Sequence, residues 1–331
     1  MFNRSGKRLV LRIFATMKTD FLTPKRSLSF GEQERACEDL FLSRGPFYHL
    51  CTPGESTLVL FETEQDYRFA INLITSSNFQ EPDVNIITFE VMRTHLHVIG
   101  EGPSAAALEW FSRMRKRLYR FYQSTGRIRD LSPFQADAFP IDDLSFLRNS
   151  IAYVNRNGYL VHPEHTPFSY PWGANRFYFN PDAQRRHDRK FRDLFVREKR
   201  QLFSSHSVEY PGEAPIVDGY ISPAFFCDLA LGEGIFRDAR HYFNLVSRSV
   251  ESYKDIAKLL GDTVLYTDDE LYLIVRQLCR DNYGNARAEI LPMEAKQTMA
   301  RTLRFDYKAT DKQIQRMLRL DARTTSALFG K

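Results

Sequence analysis

Cysteine is scarce and scattered. Cys37, Cys51, Cys227 and Cys279 are the only four in 331 residues, and no two form a CxxC pair. That spacing argues against a zinc ribbon or a disulfide framework and fits a reducing cytoplasm. Long apolar runs are missing as well. No stretch reaches the roughly eighteen residues of a membrane span, and the first residues lack the apolar core of a signal peptide. A soluble, cytoplasmic protein without a membrane partner is the expectation. There is no GxxxxGKS/T loop to cradle a nucleotide, no repeat of fixed period and no low-complexity tract. Neither sign of charge dominates. Lys and Arg number 46 against 41 Asp and Glu, a net charge of +5 that permits a nucleic-acid partner without demanding one.

What is present is patterned. An apolar fraction of 43% can build a sizeable core, and the length suits two domains or one with an appendage. The positive charge is clustered. Arg113 to Arg127 reads RMRKRLYRFYQSTGR without an acid, and Arg185 to Arg200 reads RRHDRKFRDLFVREKR. Leu260 to Leu271 carries acids and no base. Such clusters are either footprints for phosphates or solvated helix faces.

Local pattern predicts an accessory helix around Ser29 to Leu42, a strand at Phe47 to Cys51 and an extended run at Leu58 to Phe61. A helix capped by Thr63 follows, carrying Tyr67, Ile71 and Ile74 on one side. Val84 to Met92 and His95 to Ile99 read as a strand pair. Ser104 to Gln123 reads as a helix with a buried stripe of Leu108, Phe111, Met114, Leu118 and Phe121. After a weak strand within Ser132 to Phe139, Asp142 is expected to cap a helix that stops at Gly158. This order predicts an α+β fold, a ferredoxin-like antiparallel sheet with helices on one face. Beyond the Pro- and aromatic-rich loop at His162 to Gly173 the pattern is mostly helical. Turns are expected at Asp218-Gly219 and at Gly232 and Gly234, and helices within Ile235 to Leu260, Asp268 to Asn282 and Met293 to Tyr307.

Two places carry chemistry. His95 and His97 flank Leu96 in an extended segment, so both imidazoles project from one face, with Cα atoms roughly 6.5 Å apart. Two ligands of one metal can bridge that span. The second place is the helix after Asp142, whose apolar stripe is Leu144, Leu147, Ile151 and Val154. Tyr153 lies roughly 160° from Ile151 around the helix and Asn157 shares its face one turn on, so both are expected to point off the stripe.

These residues have a familiar arrangement. Phe89 to Ile99, reading FEVMRTHLHVI, resembles the Met-x-x-His-hydrophobic-His strand of the single-tyrosine HUH transposases, in particular the REP-associated tyrosine transposases and their insertion-sequence relatives. The arginine-rich helix Trp110 to Tyr122, the segment from Asp142-Asp143-Leu144 to Ala152-Tyr153-Val154-Asn155-Arg156-Asn157, and the loop Phe168-Ser169-Tyr170-Pro171-Trp172 follow in the family's order. The chain departs from the pattern at Arg93 and Thr94, where much of the family has Pro and Asn, and at Gly158, where it has Pro. The region beyond Gly173 matches no motif.

The resemblance implies a function. Tyr153 would attack a scissile phosphate to give a 5′-phosphotyrosine and a free 3′-hydroxyl. His95, His97 and Asn157 would hold Mg²⁺ or Mn²⁺. A phenol is a weak nucleophile near neutral pH, so a Lewis acid that polarises the phosphate is needed. Arg113, Lys116, Arg117 and Arg120 would track the backbone of single-stranded or hairpin DNA. The implied organisation is an N-terminal arm at 1–44, the catalytic domain at 45–161, an aromatic loop and basic helical middle region at 162–250, and a helical C-terminal domain at 251–331. In that last domain Thr310 is expected to cap a helix bearing Ile314, Met317 and Leu318, with a turn at Asp321-Ala322-Arg323 and a second helix from Thr324. This is either a helix-turn-helix that adds duplex DNA binding or a plain helical hairpin. Two other readings fit the residues: a non-catalytic DNA-binding descendant, and a metal-dependent phosphodiesterase without a covalent step.

Overall fold

A computed structural model describes residues 28–53, 59–79, 83–127, 129–161, 165, 168–206, 209–247, 251–260, 266, 268–284 and 287–329. Most of the expected N-terminal arm lies outside them. The chain divides into two compact units, 1–248 and 249–331.

The first unit opens with α1 (Phe30–Leu42), closed at its start by a capping box between Ser29 and Glu32. Then come β1 (Phe47–Cys51), α2 (Glu64–Asn78), β2 (Asn85–Val91), β3 (Leu96–Glu101), α3 (Ser104–Ser124), β4 (Asp137–Ile141) and α4 (Leu144–Val161). The strands form a small antiparallel sheet in the order β2-β3-β1-β4. β1 and β2 therefore run parallel to each other with β3 between them, and β3 and β4 run parallel with β1 between them. Right-handed crossovers put α2 and α3 on the same face. There they pack together, with Phe69 stacked on Phe121 at 3.8 Å between ring centroids.

The expectation of helices on one face only is corrected by α4. It packs against β2 and β3 on the other face, where Tyr153, Asn155 and Gly158 meet His97, Thr88 and Glu90. The physical cause is visible in β1, where every residue of Phe-Tyr-His-Leu-Cys is buried. Such a strand needs a cover on both sides.

Other boundaries shift for local reasons. Leu60 and Phe61 are not in a strand; both of their N–H groups donate to the Arg93 carbonyl at 3.0 Å. Asp143, not Asp142, caps α4 by accepting from the Phe146 N–H at 2.7 Å. The helix runs through Gly158 to Val161. Leu108 is 39% exposed, and Ala107 and Trp110 take its place on the buried side of α3. Gly232 and Gly234 lie in the short helix α6 (Leu229–Gly234, following α5, Val196–Phe203) rather than in a turn. A Cβ at Gly232 would meet the Tyr178 hydroxyl at 2.2 Å, so this glycine serves close packing.

The middle of the chain builds onto this sheet. The Val91 N–H donates to the Trp172 carbonyl, and the Ala174 N–H to the Phe89 carbonyl, which extends the β2 edge. A smaller sheet of β5 (Arg189–Lys190), β6 (Pro215–Val217) and β7 (Tyr220–Ile221) turns at Asp218-Gly219, both with positive φ. α7 (Ala239–Ser247) packs against α4.

Asp66 ties several of these pieces together. Its buried carboxylate accepts from the N–H groups of Glu62 and Thr63 and takes both arms of the Arg127 guanidinium. Burial raises its pKa, but the hydrogen bonds from Arg127 and the backbone outweigh that and hold it below 3.8. A depressed folded pKa contributes stability that is present above the unfolded value and lost as pH falls through the folded one. Asp66→Asn is therefore expected to lower Tm at neutral pH, with the gap closing below about pH 3.8. Thermal melts across pH 7 to 2.5 check this, and a gap independent of pH would contradict it.

The second unit is helical: α8 (Glu251–Leu260), α9 (Asp268–Tyr283), α10 (Met293–Phe305), α11 (Asp311–Leu318) and α12 (Ala322–Phe329). Leu271, Val275, Cys279, Met299, Leu303, Ile314 and Leu318 form its core. Thr310 and Gln313 close a capping box on α11, and Arg319 ends that helix with φ 51°. The next helix starts at Ala322 rather than Thr324, because Asp321 caps it by accepting from the Thr324 N–H at 2.8 Å. No helix among the described residues is long and apolar enough to cross a membrane.

Candidate functional site

The Met92–His95 turn joins β2 to β3, with the Met92 N–H donating to the His95 carbonyl at 2.9 Å. His95 thus sits at the end of the hairpin and His97 one step inside β3, where it pairs with Glu90 of β2 and Cys51 of β1. The two imidazoles meet edge to face at 4.9 Å between centroids. Thr94 holds His95: its Oγ1 lies 2.9 Å from Nδ1.

Tyr153 comes down from α4 onto this cluster. Its ring lies 5.7 Å from His97 and 6.2 Å from His49 of β1. The structure therefore brings His95, His97 and Tyr153 together, as the sequence led one to expect, and Asn157 is buried on the same helix. The expectation that Tyr153 points off the anchoring stripe is corrected. It is 2% exposed and faces the sheet. Leu147, Ile151 and Val154 are buried as well, because α4 is enclosed on more than one side.

A buried polar network fixes the helix. Thr88 Oγ1 donates to Asn155 Oδ1, Asn155 Nδ2 donates to the Tyr242 hydroxyl, that hydroxyl donates to Asn175 Oδ1, and Asn175 Nδ2 returns to the Asn155 carbonyl, all at 2.5–2.8 Å. One turn on, Glu90 Oε1 accepts from the Gly158 N–H at 2.7 Å. Glu90 Oε2 has no hydrogen-bond partner among the described residues. Burial pushes this carboxyl well above the usual range, against the opposing pull of the Gly158 N–H.

His49 and Glu90 were missed in the sequence. Period-two alternation in β1 and β2 assigns each to a face. Only the strand order, which no local pattern carries, puts those faces beside His97.

No protein-family model, curated protein or solved structure matches the chain.

The donor chemistry can still be tested against the cation that the resemblance implies. Nδ1 of His95 is engaged by Thr94 and Nδ1 of His97 by His49, so Nε2 is the nitrogen each ring would offer. Two imidazoles alone are a poor donor set for Mg²⁺ or Mn²⁺, which favour oxygen ligands. Among the described residues, no group of three or more His, Cys, Asp and Glu side chains is placed to hold a metal.

The four basic residues of α3 divide. Arg113 faces Glu109 at 3.8 Å, and Arg117 donates to Ser77 Oγ from a half-buried position where desolvation lowers its pKa. Lys116 and Arg120 are exposed and line a groove of about 540 Å³ with Arg115, Tyr119, Arg129 and Asp130. Arg115 and Arg129 belong to this surface although the sequence reading did not single them out. The groove lies on the α3 layer, with the sheet between it and Tyr153.

Proposed function

We propose that the first unit is a single-stranded-DNA strand transferase built on a ferredoxin-like sheet, with Tyr153 as nucleophile and His95, His97 and Asn157 as the holders of Mg²⁺ or Mn²⁺. The observation that carries this reading is the convergence, on one face of the sheet, of two imidazoles and a phenol drawn from β3 and α4. When bound, the cation polarises a phosphate oxygen and orients the phosphate. Tyr153 Oη forms a bond to phosphorus and gives up its proton. The bond from phosphorus to the 3′-oxygen breaks, and that oxygen leaves with a proton as a free 3′-hydroxyl. The reverse steps rejoin a strand without any nucleotide cofactor, since the phosphotyrosine conserves the bond.

The test is a covalent adduct. The full chain with Mn²⁺ and a hairpin-flanked single strand is expected to give a species stable on a denaturing gel, joined to the 5′ end of the downstream fragment. His95→Ala should abolish it while leaving the fold intact, because His95 lies at the hairpin end. His97 is a poorer test. It is fully buried beneath α4 rather than on an open face, so its removal also costs packing. An adduct of wild-type yield from folded His95→Ala would remove the metal-site reading.

A second reading is favoured by the same burial. A phosphodiester cannot reach a 2%-exposed phenol unless α4 or the chain covering it moves. A DNA-binding protein that does not cut needs no such movement. No adduct from wild type on any hairpin-flanked substrate would select it.

Both readings assign DNA to the groove on α3 and duplex contacts to α11 and α12 as a helix-turn-helix. Replacing Arg115, Lys116, Arg120 and Arg129 with Ala should flatten the log–log salt dependence of single-strand binding by about 0.7 per lost contact. Arg113→Ala with Arg117→Ala should change the slope far less. Equal slopes for wild type and the quadruple variant would mean that the groove is merely solvated.

A further inference from the structure

We propose that Tyr119 is a stacking platform for an unpaired base, which makes the α3 groove selective for single-stranded over duplex DNA. This deepens the reading that the groove binds DNA and rests on it. One face of α3 lines the groove, carrying Ser112, Arg115, Lys116, Tyr119, Arg120 and Gln123. These positions follow the three- and four-residue spacing of a helix face and span roughly 16 Å. Tyr119 sits within the stripe, with Arg115 one turn before it and Gln123 one turn after. The opposite wall, Arg129 to Ser132, is held in place. Arg129 donates to Glu62, and both carboxylate oxygens of Asp130 accept from Ser132 at 2.9 Å.

The last turns of α3 carry three aromatic rings that face different ways. Phe121 is stacked on Phe69, and Tyr122 is fully buried with its hydroxyl donating to the Leu60 carbonyl. Tyr119 is 46% exposed and lines the groove. The charges around it suit a whole nucleotide rather than a phosphate alone. Arg115, Lys116 and Arg120 supply cations for backbone phosphates. Asp130 lines the same groove. Hydrogen bonds from Ser132, and then the charge of Arg115, hold its carboxylate below the usual range, so it stays ionised at neutral pH. A carboxylate repels phosphate but accepts from the amino groups on base edges. Stacking on a protein ring needs a base whose face can be splayed out, and in a duplex both faces of each base are covered by its neighbours.

The experiment titrates the full-length chain with labelled single-stranded oligo(dA), an abasic strand of equal length, and oligo(dA) paired with oligo(dT). Circular dichroism checks folding. Tyr119→Leu is expected to weaken oligo(dA) binding by about 5- to 150-fold, the worth of one base stacked on an aromatic ring. Its log–log salt slope should match wild type, because no phosphate contact is lost. Its affinity for the abasic strand and for the duplex should not change. Tyr119→Phe, which keeps the ring, should bind as wild type does. Folded Tyr119→Leu that holds oligo(dA) as tightly as wild type overturns the stacking role, and so does an equal loss on all three probes. The variant with Ala at Arg115, Lys116, Arg120 and Arg129 separates this from the reading beneath it. If that variant keeps wild-type affinity and slope for oligo(dA), the groove does not bind DNA and both fall. Should Tyr119→Leu not fold, Tyr119→Trp decides. Oligo(dA) should quench the added indole emission and the abasic strand should not. Emission that oligo(dA) leaves unchanged overturns the proposal.

Discussion

Tyr153→Phe is expected to form no covalent adduct with DNA while folding, binding Mn²⁺ and binding single-stranded DNA like the wild type. The substitution removes one oxygen and keeps the ring that packs at 5.7 Å from His97 and 6.2 Å from His49. Volume-conserving changes of this kind cost little packing. The covalent step depends on the phenol oxygen, so its loss should be complete rather than graded. Denaturing gels with Mn²⁺ or Mg²⁺ read the adduct, and a filter or fluorescence assay reads binding. An adduct that persists would move the nucleophile to another residue, and Tyr119, 46% exposed in the α3 groove, would be the first to test.

Gly158→Ala should destabilise the first unit by about 1–3 kcal/mol, even though Ala is the better helix former by about 1 kcal/mol. A Cβ at this position would meet Glu90 Oε1 at 1.9 Å and the Tyr170 ring at 2.2 Å. The carboxyl oxygen has little room to retreat, since it accepts the Gly158 N–H and Glu90 is buried. Tyr170 is pinned too, its hydroxyl donating to the Val91 carbonyl at 2.8 Å. The cost therefore falls on the contact that sets α4 against β2, and adduct yield should fall together with Tm. A melt showing Gly158→Ala as stable as wild type would mean that Glu90 and Tyr170 can relax around a methyl group.

Gly158 also shows how far the sequence could be read. A glycine after a run of helical periodicity looks like a terminator, and that was the expectation. In the structure the helix continues past it, and the glycine serves instead to let Glu90 and Tyr170 approach where there is no room for a Cβ. From β1 to α4, Leu60–Phe61 apart, helix and strand identities followed from local pattern: Thr63 caps α2, and the β2–β3 pair brackets the turn before His95. The middle region, expected to be mostly helical, instead carries the small β5–β6–β7 sheet. The pairing of His95 with His97 was legible because one extended segment carries both, whereas the place of Tyr153 beside them was implied only by the resemblance. Two things were not. The cover on the second face of the sheet depends on which strands are central, and β1 looks like any short apolar strand until it is placed between β3 and β4. The partners His49 and Glu90 come from strands whose register against β3 is set by the whole fold. In the second unit the caps at Thr310 and Asp321 set helix boundaries to within a turn of those expected.

The layering has a consequence for ligand length. Tyr153 lies beneath α4 on one side of the sheet, and the groove of Lys116 and Arg120 lies on the other. A strand of DNA that engages both cannot pass through the sheet and has to bend round an edge. The β2 edge is occupied by the Trp172–Ala174 segment, whereas β4 is paired only to β1 among the described residues. The route past β4 spans two packed layers, each about 10 Å thick. On the proposed reading, and once the cover over Tyr153 has moved, oligonucleotides too short for that detour would occupy the groove or the phenol but never both. Longer ones would gain the second contact as an intramolecular event at high effective concentration. Chain length, more than base composition, would then separate ligands that are merely held from those presented for reaction.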